Sequence, residues 1–120
     1  MKRIALVEDN PDNRLLVCAI LEDNYEIDEY EMGRDALAGI AENIPDLVLL
    51  DISLPGMDGT EVLEQMRESE QLKQIPAIAL TAHAMTGDRE KYLSMGFDEY
   101  LTKPIVDEDR LLGTIERFLE

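Results

Sequence analysis

Three stretches of the chain carry apolar residues without interruption: Ile4-Ala5-Leu6-Val7, Leu47-Val48-Leu49-Leu50 and Ala77-Ile78-Ala79-Leu80. A short continuous apolar run bounded by polar residues is the pattern of a strand buried on both faces of a parallel sheet, so these three predict central strands. Tyr25 to Glu31 alternates instead, with Tyr25, Ile27 and Glu29 sharing a face, and Asp98-Glu99-Tyr100-Leu101 is short and half polar. Both predict edge strands.

Between these runs the period changes from two to 3.6. Leu16, Ala19 and Ile20 repeat at helical spacing after Asn10-Pro11, a capping residue followed by proline at the first helical position. Ala36, Leu37, Ile40 and Ala41 form a second apolar face, and Val62, Leu63 and Met66 a third, with Asp58 as its cap. Leu111, Leu112, Ile115, Phe118 and Leu119 make the strongest stripe. Thr86 to Met95 is helix-like but offers a core only Leu93, with Tyr92 and Met95 beside it, and Gly96 follows as a C-terminal cap. This helix is predicted to be the least anchored. Strand and helix alternate five times across short connections, which predicts an α/β fold with a parallel sheet and right-handed crossovers.

The length of 120 residues fits one domain, spanning 1–120. The formal net charge of −16 disfavours direct contact with nucleic acid or an anionic membrane surface. A single cysteine, Cys18, excludes an intrachain disulfide and reads as a small apolar filler. The apolar run that ends at Glu8 is too short for a signal-peptide core or a membrane span, so the cytoplasm is the expected compartment.

Ligands of such sheets bind beyond the carboxyl ends of the strands. Glu8-Asp9 follow the first strand, Asp51 the third, Thr81 the fourth and Lys103-Pro104 the fifth. Three carboxylates roughly 5 Å apart would repel by about 3 kcal/mol per pair at an effective dielectric of about 20, more than Lys103 alone offsets. Clustered carboxylate oxygens suit Mg²⁺, which keeps waters and accepts phosphate oxygens. The turn after the first strand is acidic and lacks glycine, which excludes cradling of a nucleotide there. The remaining chemistry is a carboxylate acting as nucleophile toward a phosphoryl group, and Asp51, at the end of a central strand, is the candidate.

With these residues in place, the chain resembles the receiver domains of two-component response regulators (CheY-like), and among them the single-domain and phosphorelay receivers. The likeness rests on Glu8-Asp9, the stretch Asp51-Ile52-Ser53-Leu54-Pro55-Gly56-Met57-Asp58-Gly59, Thr81-Ala82 and Tyr100-Leu101-Thr102-Lys103-Pro104, in order and over essentially the whole chain. It implies a flavodoxin-like doubly wound sheet of order 2-1-3-4-5 and a switch that accepts a phosphoryl group from a histidine kinase or a phosphotransfer protein. It further implies that Asp51 is the phosphoacceptor, and that Asp9, Asp51 and the Ser53 carbonyl ligate Mg²⁺ with Glu8 helping through water. Thr81 and Lys103 then hold phosphoryl oxygens, Tyr100 is the switch aromatic, and output passes through the fourth helix, fifth strand and fifth helix. The Lys103-Pro104 peptide is expected to be cis, and Ser53 and His83 stand where the family tunes phosphoryl lifetime. Glu8 departs from the aspartate often found first in the acidic pair. Such a domain catalyses only its own phosphorylation and dephosphorylation and is not an ordinary enzyme.

Plainer readings remain beside these. Tyr100 also reads as a half-buried edge-strand aromatic and His83 as a surface histidine. An aspartyl-phosphate hydrolase of the haloacid-dehalogenase type would want a second aspartate where Ser53 stands, and a pseudo-receiver would be expected to have lost Asp51 or Lys103. The last helix runs to the end of the sequence given, and a stand-alone receiver or an excised module is expected.

Overall fold

The computed structural model describes residues 1–82, 87–103, 105 and 107–119. Ten elements alternate along the chain: β1 (Arg3–Val7), α1 (Pro11–Leu21), β2 (Glu26–Tyr30), α2 (Gly33–Glu42), β3 (Leu47–Asp51), α3 (Gly59–Glu68), β4 (Ala77–Thr81), α4 (Asp88–Met95), β5 (Glu99–Thr102) and α5 (Glu108–Leu119). The five strands form one parallel sheet in the order β2-β1-β3-β4-β5, the doubly wound arrangement that the resemblance implies.

Within the apolar runs, alternate side chains go to opposite faces. Ile4, Leu6, Leu47, Leu49, Ile78 and Leu80 pack with Val17, Leu21, Leu111 and Ile115 of α1 and α5. Ala5, Val7, Val48, Leu50, Ala77 and Ala79 pack with α2, α3 and Tyr92 of α4. Asn10 caps α1 by accepting from the amides of Asp12 and Asn13, and Asp58 caps α3 by accepting from that of Glu61.

Three helix faces differ from the pattern read above. On α1 the buried residues are Val17 and Leu21, whereas Leu15 is 72% and Leu16 38% exposed and Ala19 faces solvent. Every position from Leu15 to Leu21 is apolar, so the period could not choose a face, and packing beside α5 and β2 decides it. On α4 the anchor is Tyr92; Leu93 is half-buried and Met95 exposed. Ala41 of α2 is likewise exposed, while α3 buries Val62, Leu63 and Met66 as expected. The segment read as beginning at Thr86 is described from Gly87 on, and Thr86 lies outside the described residues.

The C-terminal end of α4 is held from α3. Arg67 donates to the Gly96 carbonyl through Nη2 (2.9 Å) and Nε (3.3 Å), to the carbonyls of Lys73 (3.0 Å) and Ile75 (2.8 Å), and to Asp98 Oδ2 (3.2 Å). Gly96, at φ 113°, ends the helix in the left-handed region that glycine adopts without strain.

Candidate functional site

Strand register brings the candidate residues to one edge of the sheet. Val7 pairs with Leu50, Asp51 with Leu80 and Thr81 with Thr102, so Glu8, Asp51, Thr81 and Lys103 emerge side by side at the carboxyl ends of β1, β3, β4 and β5. Lys103 is tied there by its amide, which donates to the Thr81 carbonyl at 2.7 Å. Arg14 of α1 closes the β1–α1 connection by donating to the carbonyls of Glu8 (2.9 Å) and Asp9 (3.4 Å).

Glu8 and Asp51 are fully buried, and Asp9 is exposed at the rim. The Lys103 ammonium lies between the two buried carboxylates, 3.1 Å from Glu8 Oε1 and 2.9 Å from Asp51 Oδ2. The other Asp51 oxygen, Oδ1, accepts from the Ser53 amide at 2.9 Å. Burial, with the hydrogen bond and charge of Asp51, pushes the Glu8 carboxyl up to about 7 against the pull of Lys103. Burial would also raise Asp51, but bonds from Glu8, Lys103 and the Ser53 amide together hold it below the usual carboxylate range. Desolvation lowers Lys103, yet Asp51 and Glu8 outweigh it and the ammonium is held charged.

Lys103 sits on both buried carboxylates, yet burial and the neighbouring Asp51 still raise Glu8, while Asp51 is held low.

Glu8, Asp9 and Asp51 each offer an oxygen, all within 4.8 Å of one another. An all-oxygen donor set of this span fits a hard divalent cation and does not fit a soft one.

Thr81 is buried, and its hydroxyl lies 3.4 Å from the hydroxyl of Tyr92. The Tyr92 ring is 5.9 Å from that of Tyr100 and meets Phe97 edge-on at 6.2 Å. Tyr100 is half-buried. Sequence reasoning offered Tyr92 to the core beside Leu93 and gave it no place at the site. It also missed Glu99, whose buried carboxylate bonds Arg89 of α4 (3.0 and 3.2 Å) and Arg117 of α5 (2.9 Å) and so joins the two helices across β5. His83 and Pro104, and with Pro104 the expected cis peptide, lie outside the described residues.

The sequence profile of the response regulator receiver domain matches residues 4–116. The sensor protein GacS of Pseudomonas syringae is 44% identical over 107 residues, which are 86% of this chain but 12% of that protein. The polar-differentiation response regulator DivK of Brucella ovis is 40% identical over 119 residues, 98% of this chain and 96% of the relative. The chain thus spans 12% of the length of sensor kinases such as GacS and nearly all of DivK. Among solved structures, the chemotaxis protein CheY4 of Vibrio cholerae superposes with a TM-score of 0.90 at 29% identity, covering 99% of both chains. The receiver domain of a sensor histidine kinase from Pseudomonas aeruginosa, solved with a magnesium ion coordinated in its active-site cleft, gives 0.89 at 34% identity over 98% of this chain and 97% of that one. Among the described residues no helix is long and apolar enough to cross a membrane.

Proposed function

The chain belongs to the response regulator receiver family, whose members are signalling switches of two-component systems and not ordinary enzymes, and we propose that here Asp51 is the phosphoacceptor of a receiver domain spanning residues 1–120. The observation that carries this is the state of Asp51. It is a fully buried carboxylate kept ionised at the end of a central strand, with a charged lysine 2.9 Å away.

In the proposed reaction an Asp51 oxygen attacks the phosphorus of a phosphohistidine on a histidine kinase or phosphotransfer protein. The O–P bond forms, the P–N bond breaks, and the imidazole leaves with the electron pair. Lys103 neutralises charge on the transferred oxygens, and the Thr81 hydroxyl donates to one of them. Glu8, Asp9 and Asp51, with the Ser53 carbonyl, would hold Mg²⁺, which when bound supplies further neutralisation of the phosphoryl oxygens. The readout passes through α4, β5 and α5, with Tyr100 following Thr81, to a protein partner in the cytoplasm and not to nucleic acid or a membrane surface.

The test is mass spectrometry after incubation with acetyl phosphate and Mg²⁺. One phosphoryl group, labile to base and hydroxylamine, is expected on the wild type and none on Asp51→Asn, which keeps the shape and loses the nucleophile. Equal labelling of the variant would remove Asp51 from this role.

A further inference from the structure

Glu8, Asp9 and Asp51 are not held alike. Asp51 is fixed through its carboxylate by Lys103 and the Ser53 amide, and Glu8 by Lys103 and, at 3.3 Å, by the Asn10 amide. Among the described residues no bond holds the Asp9 carboxylate, so the course of its backbone sets where that oxygen can reach. Arg14 holds this backbone. It closes the first turn of α1, its amide donating to the Asn10 carbonyl at 3.0 Å. Helical side chains lean toward the N-terminus, so the guanidinium reaches back over the β1–α1 connection, where Nη1 donates to the carbonyls of Glu8 (2.9 Å) and Asp9 (3.4 Å). Nη2 lies 3.0 Å from Glu31 and Nε 3.6 Å from Glu29, so the rest of the fork is gripped from the end of β2. The Arg14 side chain is only 15% exposed. One planar cation meets four groups there, which a single compact ammonium could not span.

We propose that Arg14 is a positioning residue for the metal: anchored on Glu29 and Glu31, it grips the Glu8 and Asp9 carbonyls and fixes the backbone from which Asp9 presents its oxygen. Less ordering is then left to occur when a divalent cation binds. This rests on the reading of Glu8, Asp9 and Asp51 as the Mg²⁺ donors. Charge and position act here in opposite senses. A guanidinium bonded to the backbone of two donors repels a dication, so by charge alone its removal would tighten Mg²⁺ binding. By position its removal loosens it.

The experiment titrates the full chain with Mg²⁺ alone, followed by amide NMR at about 0.15 M salt to screen distant charge, in wild type, Arg14→Gln, Arg14→Lys, Asp9→Ala and the Arg14→Gln/Asp9→Ala double variant. Arg14→Gln is expected to raise the Mg²⁺ Kd about two- to tenfold, the cost of ordering one side chain on binding. Arg14→Lys, which keeps the charge and loses the fork, is expected to bind no better than Arg14→Gln. In the Asp9→Ala background Arg14→Gln is expected to cause no further loss, because Arg14 acts through Asp9. Glu31→Gln tests the same grip at a side chain that is 68% exposed and whose loss leaves the fold intact. Its expected effect is about twofold, the range of an exposed ion pair, and is again absent without Asp9. Unchanged or tighter binding in Arg14→Gln, wild-type affinity in Arg14→Lys, or losses that multiply with Asp9→Ala would overturn the proposal. If Asp9→Ala by itself binds Mg²⁺ as well as wild type, the reading of the acidic cluster as the metal site has failed, and the role of Arg14 falls with it.

Discussion

Gly59 and Asp51 are in backbone contact: a β-carbon on Gly59 would run into the Asp51 carbonyl oxygen, and the Gly59 amide donates to the neighbouring Ile52 carbonyl at 3.0 Å. The start of α3 is thereby pressed against the strand end that carries the candidate nucleophile, which any residue with a side chain would push away.

Gly59→Ala is therefore expected to destabilise the fold by about 1–3 kcal/mol, the cost of forcing extra atoms into a packed site. It is also expected to slow labelling of Asp51 by acetyl phosphate. Urea unfolding gives the first quantity and single-turnover labelling the second; a variant as stable as wild type would show that the two backbones do not touch.

Mg²⁺ is expected to raise the melting temperature, because a ligand bound only by the folded state at 100 times its Kd contributes about 2.7 kcal/mol. Asp9 is exposed at the rim, outside the Lys103 bridge, so Asp9→Ala removes a metal oxygen while leaving the buried pair intact. Thermal melts with and without Mg²⁺ should show a smaller shift in the variant; identical shifts would place the ion elsewhere.

Acid is expected to weaken the α4–β5–α5 tie. Burial would raise Glu99, but Arg89 and Arg117 hold it below the usual range. A lowered carboxylate contributes stability that is complete above its unfolded value of about 4.3 and is lost as pH falls through the folded value. Glu99→Gln should thus cost about 1–2 kcal/mol at neutral pH, with both arginine bonds partly open to water, and the gap to wild type should close toward pH 3. Urea unfolding of both proteins at the two pH values is the check; a constant gap would mean that the carboxylate is not what the arginines hold.

The central strands were legible because two-sided burial leaves no polar residue in the run, as in Leu47 to Leu50. The site was legible for the same reason: the first polar residue after such a run stands at the strand's carboxyl end, which is where Glu8 and Asp51 lie. What the pattern did not carry was the choice among apolar positions on one helix. Leu16 and Val17 are equally apolar, and only the sheet beneath α1 distinguishes them. Nor did it separate Glu8 from Asp9, adjacent carboxylates of which one is buried on Lys103 and the other meets water. The contact of Tyr92 with Thr81 and the role of Glu99 were missed because the partners, Thr81 for the one and Arg89 with Arg117 for the other, come from other elements.

The bonds of Arg67 to the Gly96 carbonyl and to Asp98 make α4 a lever with its fulcrum at Gly96. Asp88 lies eight residues away along the axis, about 12 Å at a rise of about 1.5 Å per residue. A rotation of about 10° about that fulcrum carries the first turn through about 2 Å while Met95 hardly moves. The mechanical advantage is therefore graded along the helix, with the greatest travel at Asp88 and nearly as much at Arg89, the residue that grips Glu99. Displacements as large at Met95 as at Asp88, in backbone shifts measured on beryllofluoride binding, would mean that the fulcrum does not hold.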